Sequence, residues 1–96
     1  MATITTVVTL AGEYDASRRD ELDRLLDRYG DTDDLVFDLH EVNRFDTAAL
    51  RSLIRFQRAR KEAGKSPIVL VCPTEPVREF IAMAELDRTF KVRDHI

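Results

Sequence analysis

The chain has 96 residues, a formal net charge of −3, 44% hydrophobic residues and 34% charged residues. This composition is typical of a soluble globular protein, no apolar run approaches the ~20 residues that cross a bilayer, and the acidic balance provides no basic surface for nucleic acid. The length suffices for a single core, so we expect one domain over residues 1–96, in the cytoplasm, with proteins rather than nucleic acid or a membrane as its partners.

The first third of the chain predicts a strand followed by a helix. The segment ITTVVTL, from Ile4 to Leu10, is rich in β-branched residues, which favour strands. The segment SRRDELDRLLDRYG then spaces its leucines as one face of a helix. Ser17 and Asp20 resemble a capping pair at the front of this helix, and Gly30 can adopt the left-handed conformation that ends it.

A second strand and a second helix follow. The segment LVFDL, from Leu35 to Leu39, is a short apolar run after a polar turn, which favours a buried strand. From Thr47 to about Ala63, apolar residues recur at helical spacing over a broad stripe. We expect Gly64 to end this helix.

The last third of the chain repeats the alternation. PIVLV, from Pro67 to Val71, predicts a further apolar strand. Pro76 lies where the first turn of a helix tolerates proline, and it opens the segment VREFIAMAEL. TFKV, from Thr89 to Val92, predicts a final extended piece.

This alternation predicts an α/β fold with a largely parallel sheet. In such sheets the functional loops gather at the carboxyl ends of the strands. The loops after the first two strands, AGEYDAS and HEVNRFDT, then open on the same edge. We therefore expect Asp15 to lie beside Asp46 and Thr47.

Catalytic patterns are weak in this sequence. Asp15, Asp38 and Asp46 suggest a phosphoryl-accepting aspartate or a magnesium site, but no paired early acids and no late strand-end lysine complete that pattern. The three glycines form no phosphate-binding loop. His40 and His95 are too isolated for a metal site. We expect no enzymatic activity, no catalytic residues, no metal and no cofactor.

Three arginines, Arg51, Arg55 and Arg58, lie on one side of the second predicted helix, opposite most of its apolar stripe. Two interpretations remain open. The arginines form either a solvated face or a patch that meets an acidic partner.

Three segments of the chain resemble a known family. LAGEYDAS resembles its G-E-L-D segment, LVFDLHEVNRFDTAAL resembles L-x-L-D-L-x-x-V-x-x-I-D-S-S-G-L, and PVREFIAMAELDRTFKV resembles P-V-x-x-x-L-x-x-x-G-L-x-x-x-F-x-V. In this order, over Leu10 to Val92, they resemble STAS domains of the bacterial anti-sigma factor antagonist type. The resemblance implies a single STAS-like α/β domain, with a mixed, mostly parallel sheet of about four strands and three helices.

The resemblance also implies a function. Such proteins bind an anti-sigma factor that is also a serine/threonine kinase, and thereby free a sigma factor. The kinase phosphorylates the hydroxyl residue after the motif aspartate, which ends the binding, and a PPM-type phosphatase restores it. By position the phosphorylated residue is Thr47. The implied partner-binding residues are Asp15, Asp46, Thr47, Ala48, Arg51 and Arg55.

The motif around Thr47 departs from the family pattern. Ala48 replaces a second hydroxyl residue and Ala49 replaces a glycine. Some family members carry this position without being kinase substrates, as scaffolds or as the cytoplasmic subunit of a lipid-transport ABC complex. In that alternative, Asp46 or Thr47 only caps the second helix.

Overall fold

The computed structural model describes residues 5–71, 73–83 and 90–94. Its elements are, in chain order, β1 (Thr5–Tyr14), a 3₁₀ turn (Ala16–Arg18), α1 (Arg19–Arg28), β2 (Asp34–Phe45), α2 (Thr47–Glu62), β3 (Val69–Val71), α3 (Glu75–Met83) and β4 (Lys91–Arg93). The four described strands form one parallel sheet in the order β1-β2-β3-β4. This confirms the α/β fold with four strands and three helices.

Strands β1 and β2 are longer than the sequence predicts. β1 continues to Tyr14 and β2 continues to Phe45, and the two remain paired to their last residues. Two register shifts interrupt the pairing, and Gly12, which lies at the second shift, has a φ of 89° that other residues rarely adopt. Because of these irregularities, buried and exposed residues do not alternate strictly along the two strands, and the sequence shows no regular strand pattern in these segments. The predicted loops therefore shrink to Asp15 and Asp46.

The front of α1 differs from the prediction. The predicted capping pair, Ser17 and Asp20, does not form the cap. Instead, the Asp15 carboxylate accepts a hydrogen bond from the Ser17 N–H (2.9 Å) and begins a 3₁₀ turn that leads into α1. Because β1 reaches Tyr14, the chain must turn at once, and the first polar side chain after the strand makes the cap.

The two predicted glycine stops have different outcomes. Gly64 has a φ of 77° and follows α2, as predicted. Gly30 is not in the left-handed region, so that prediction is wrong. The chain leaves α1 earlier, because the Tyr29 N–H bonds to the carbonyl oxygen of Leu26 (2.9 Å) in a tighter turn.

The core lies between the sheet and the helices. Helix α2 follows the predicted bounds closely, contacts α1, and buries Ala49 and Leu53. Helix α3 contacts β2 and buries Val77 and Ile81. The buried hydrophobic side chains are Val8, Leu10, Tyr14, Leu22, Leu26, Leu35, Phe37, Leu39, Val42, Phe45, Ala49, Leu53, Ile68, Leu70, Val71, Val77, Ile81 and Phe90.

Strand β3 is shorter than the strand predicted from Pro67 to Val71. β3 covers Val69–Val71, and Pro76 lies in the first turn of α3, as expected. The end of the predicted third helix beyond Met83, the start of the last extended piece at Thr89, and His95 lie outside the described residues.

A buried arginine near the end of α2 was not anticipated from the sequence. Arg60 is only 1% exposed. Its guanidinium donates hydrogen bonds to the carbonyl oxygens of Tyr29 (3.4 Å), Thr32 (2.6 Å), Asp33 (2.8 Å) and Ser66 (3.1 Å). Arg60 thus joins the connection before β2 to the connection before β3.

Candidate functional site

The carboxyl ends of β1 and β2 meet at one edge of the sheet. Tyr14 and Phe45, the last residues of the two strands, are register partners, and their rings lie 5.9 Å apart in the core. The Asp46 N–H donates to the carbonyl oxygen of Tyr14 (3.1 Å), so Asp46 is bonded to the residue that precedes Asp15. The expectation that Asp15 lies beside Asp46 is confirmed, and Thr47 follows Asp46 directly.

Asp46, and not Thr47, caps α2. Its carboxylate accepts hydrogen bonds from the N–H groups of Ala48 (2.9 Å) and Ala49 (3.1 Å). The backbone of Asp46 is extended, as is usual for a residue that precedes a helix. Of the two capping candidates that the sequence left open, the structure selects the aspartate.

Thr47 is the first residue of α2, and its side chain is exposed. Because Asp46 makes the capping hydrogen bonds, the start of the helix does not depend on the Thr47 hydroxyl. A hydroxyl at this position is accessible to a partner protein.

Two acidic residues lie at this edge of the sheet, Asp15 after β1 and Asp46 directly before Thr47. Hydrogen bonds from the Ser17 hydroxyl and N–H hold the pKa of Asp15 below its usual range, and the charge of Arg44 acts in the same direction. Asp15 is therefore ionised at neutral pH. The carboxylates of Asp15 and Asp46 thus lie at the edge of the sheet at which α2 begins.

A groove with a basic rim begins beside the site. It is lined by Arg19 at the start of α1 and by Ala48, Arg51, Ile54, Arg55 and Arg58 of α2. Three of the implied partner-binding residues thus share one surface, which we call the basic groove. Asp23 lies near Arg55 (Nη2 to Oδ2, 3.8 Å) and near Arg19 (Nε to Oδ2, 4.0 Å).

Arg18 is a further residue of this edge, and the sequence did not single it out. Its Nη1 donates to the carbonyl oxygens of Ala11 (3.0 Å) and Glu13 (3.1 Å), and its guanidinium carbon lies 4.2 Å from the centre of the Tyr14 ring. A Cβ on Gly12 would approach Arg18 Nη1 to 3.1 Å. Arg18 thus holds the end of β1 in place. In the sequence, the spacing of four residues between Tyr14 and Arg18 gives only a weak indication of this contact.

The other candidate residues lie apart from this edge. Asp38 is in the middle of β2, eight residues before Asp46, which corresponds to roughly 25 Å along a strand. Its carboxylate bonds to the N–H (3.0 Å) and the Nδ1 (2.8 Å) of His40. Among residues 5–71, 73–83 and 90–94, no group of three or more His, Cys, Asp or Glu side chains could hold a metal ion. No helix in the described part of the chain is long and apolar enough to span a membrane.

Comparisons with known proteins agree with this architecture. A family model described as Mlab, STAS domain, matches residues 1–93. The crystal structure of a proposed anti-sigma factor antagonist from Thermotoga maritima matches with a TM-score of 0.82 and 22% identity, over 94% of this chain and 80% of that chain. An NMR structure of the protein TM1081 matches with a TM-score of 0.76 and 18% identity, over 93% of this chain and 73% of that chain. No curated protein sequence matches. At these identities the structural likeness concerns the fold.

Proposed function

Because this chain belongs to the STAS domain family, we propose that it is an anti-sigma factor antagonist whose binding is switched off by phosphorylation of Thr47. It binds an anti-sigma factor that is also a serine/threonine kinase, and so frees a sigma factor. The kinase phosphorylates Thr47 and ends the binding, and a PPM-type phosphatase restores it. The protein acts in the cytoplasm by binding and not by catalysis.

The start of α2 carries this proposal. Asp46 supplies the cap, so Thr47 is left exposed at the edge where β1 and β2 end. A residue that presents a hydroxyl without a role in capping can gain and lose a phosphate without unfolding the helix.

Charge explains why a phosphate would act on the complex and not on the fold. Phosphorylation adds about −1.5 to −2 charges at neutral pH. The amino end of a helix tolerates negative charge, so α2 should persist. A partner surface fitted to a neutral hydroxyl between Asp15 and Asp46 would meet added bulk and repulsion.

Two substitutions of Thr47 test the switch. Thr47→Ala should fold, bind the anti-sigma partner and resist the kinase, because alanine keeps the surface small and uncharged. Thr47→Glu should fold but bind at least tenfold more weakly, since an unpaired charge buried in an interface costs several kcal/mol. Titration calorimetry against the candidate partner measures both affinities. Ala59→Glu, at an exposed position three turns further along α2, is the charge-matched control.

The phosphate acceptor can be identified directly. After incubation with the candidate kinase and ATP, mass spectrometry should find phosphate on the peptide that contains Thr47, and none in Thr47→Ala. Wild-type affinity in Thr47→Glu, or phosphate at another residue only, would rule out the switch.

The motif departures favour a second candidate, a STAS protein that binds its partner constitutively. Ala48 and the buried Ala49 occupy the places of a hydroxyl residue and a glycine, and the matching family model bears the description Mlab and not that of an antagonist. Such a protein would be a scaffold or a subunit of a lipid-transport ABC complex. Co-purification separates the two candidates: capture of a kinase-like ATPase supports the antagonist, and capture of a membrane ABC complex supports the subunit.

A further inference from the structure

Three N–H groups that follow Thr47 at the start of α2 are already hydrogen-bonded. Helix amino ends often bind phosphate through free N–H groups. Here the N–H groups of Ala48 and Ala49 are bonded to the Asp46 carboxylate, and the Leu50 N–H bonds to the Asp46 carbonyl oxygen (3.0 Å). A protein group that binds a phosphate at Thr47 would therefore be a cationic side chain and not one of these N–H groups.

Arg51 is the cation that is best placed to bind a phosphate on Thr47. It lies four residues after Thr47 on α2, and side chains at this spacing are neighbours on one helix face. Arg51 is exposed, and within the described part of the chain it forms no ion pair, whereas Arg55 lies near Asp23. The guanidinium fork matches the geometry of phosphate oxygens.

The other charges near Thr47 are less suited to this contact. Asp15 and Asp46 would repel a phosphate. Arg44 acts on Asp15, and Arg19, across the basic groove, lies 4.0 Å from Asp23. These cations already have acidic neighbours.

We propose that a phosphate on Thr47 is bound within the same molecule by Arg51. The inference rests on the proposed phosphorylation of Thr47 and assigns a phosphate-binding residue to that state. Because Arg51 also lines the basic groove, the contact withdraws a positive charge from the surface next to the partner site. Phosphorylation then adds negative charge at Thr47 and removes positive charge from the groove in one step.

The contact can be measured on protein in which phosphothreonine is placed at position 47 during synthesis, so that no kinase is needed. ³¹P NMR over a pH series gives the second pKa of this phosphate, which is ordinarily about 6. A nearby cation favours the dianion and lowers this pKa. Arg51→Ala should therefore raise it by about 0.3 unit, and Arg51→Lys should raise it less. Arg55→Ala, the same change one turn further on, should leave it unaltered.

Three results would overturn the contact: no change in Arg51→Ala, an equal change in Arg55→Ala, or a change in Arg44→Ala that Arg51→Ala lacks. The kinase assay on unmodified protein is independent of this measurement. Failure of that assay counts against the proposed switch, and failure of the NMR shift counts against Arg51 alone.

Discussion

The two ends of α2 use polar side chains in opposite ways. At the amino end, Asp46 bonds to N–H groups two and three residues ahead of it, and Thr47 stays exposed. Near the carboxyl end, Arg60 is buried and bonds to carbonyl oxygens from residues 6 to 31 positions away in the chain. Local capping leaves the amino end available to a partner. At the carboxyl end, hydrogen bonds to residues far away in the chain attach α2 to the connections before β2 and β3.

At the carboxyl end of α2, a charge is buried with backbone carbonyl oxygens as its hydrogen-bond acceptors. Burial lowers the pKa of Arg60, but a guanidinium remains charged at neutral pH. The carbonyl oxygens around it replace the water that burial removes. Arg60 therefore contributes to stability only while the connections before β2 and β3 keep their positions.

The largest expected effect is at the buried end. Arg60→Ala should lower the free energy of unfolding by about 4 kcal/mol, because it leaves several buried carbonyl oxygens unpaired. Arg58→Ala, an exposed arginine on the same helix, should change it by less than ~0.5 kcal/mol. Urea denaturation measures both. Equal values for the two variants would contradict a stabilising role for the buried Arg60.

The amino end also depends on the core, through the residue that precedes its cap. Phe45 is 8% exposed, and its ring contacts that of Tyr14. Phe45→Ala should cost about 3 kcal/mol of stability and weaken partner binding only through that loss. Phe45→Leu, which keeps most of the volume, should cost less than half as much. An unchanged thermal midpoint in Phe45→Ala would show that packing of Phe45 in the core does not stabilise the site.

A smaller effect separates the cap from the exposed hydroxyl. Asp46→Ala should cost about 1 kcal/mol, because two N–H groups of α2 lose their acceptor. Thr47→Ala should change stability by less than ~0.5 kcal/mol, since alanine is a strong helix former. Thermal melts of both variants give the ranking. The reverse ranking would show that Thr47 is the capping residue. Its hydroxyl would then not be free for a partner or a kinase.

The smallest expected effect concerns Asp38. It is a buried acid whose hydrogen-bond partner, His40, is close to it in the chain and is titratable. Burial alone would raise the pKa of Asp38, but hydrogen bonds from the His40 N–H and ring outweigh it and lower that pKa. The hydrogen bond with Asp38 in turn raises the pKa of His40 above 6.5.

The stability that His40 contributes is therefore complete below pH 6.5 and is lost as the pH rises through its raised pKa. We expect the wild-type protein to lose stability relative to His40→Gln as the pH rises above 6.5. Urea denaturation across this range provides the test, and parallel profiles would contradict the pairing. The contribution of Asp38 is lost only as the pH falls through its lowered pKa, below 3.8.

The sequence alone supported the α/β alternation, the bounds of α2 and the neighbouring positions of Asp15 and Asp46. These features follow from local signals: hydrophobic periodicity, a glycine such as Gly64 after a helix, and the rule that parallel strands end at one edge. The resemblance to STAS domains supplied the role proposed for Thr47, which no local pattern provides.

Other features were decided only by the tertiary structure. β1 and β2 extend past their apolar runs because each strand satisfies the backbone of the other, and the register shifts that permit this leave no clear mark in the sequence. Pairing to Tyr14 and Phe45 then makes Asp15 and Asp46 the capping residues. Arg60 resembles its exposed neighbours on α2 in the sequence, because the carbonyl oxygens that bind it come from segments that only folding brings together.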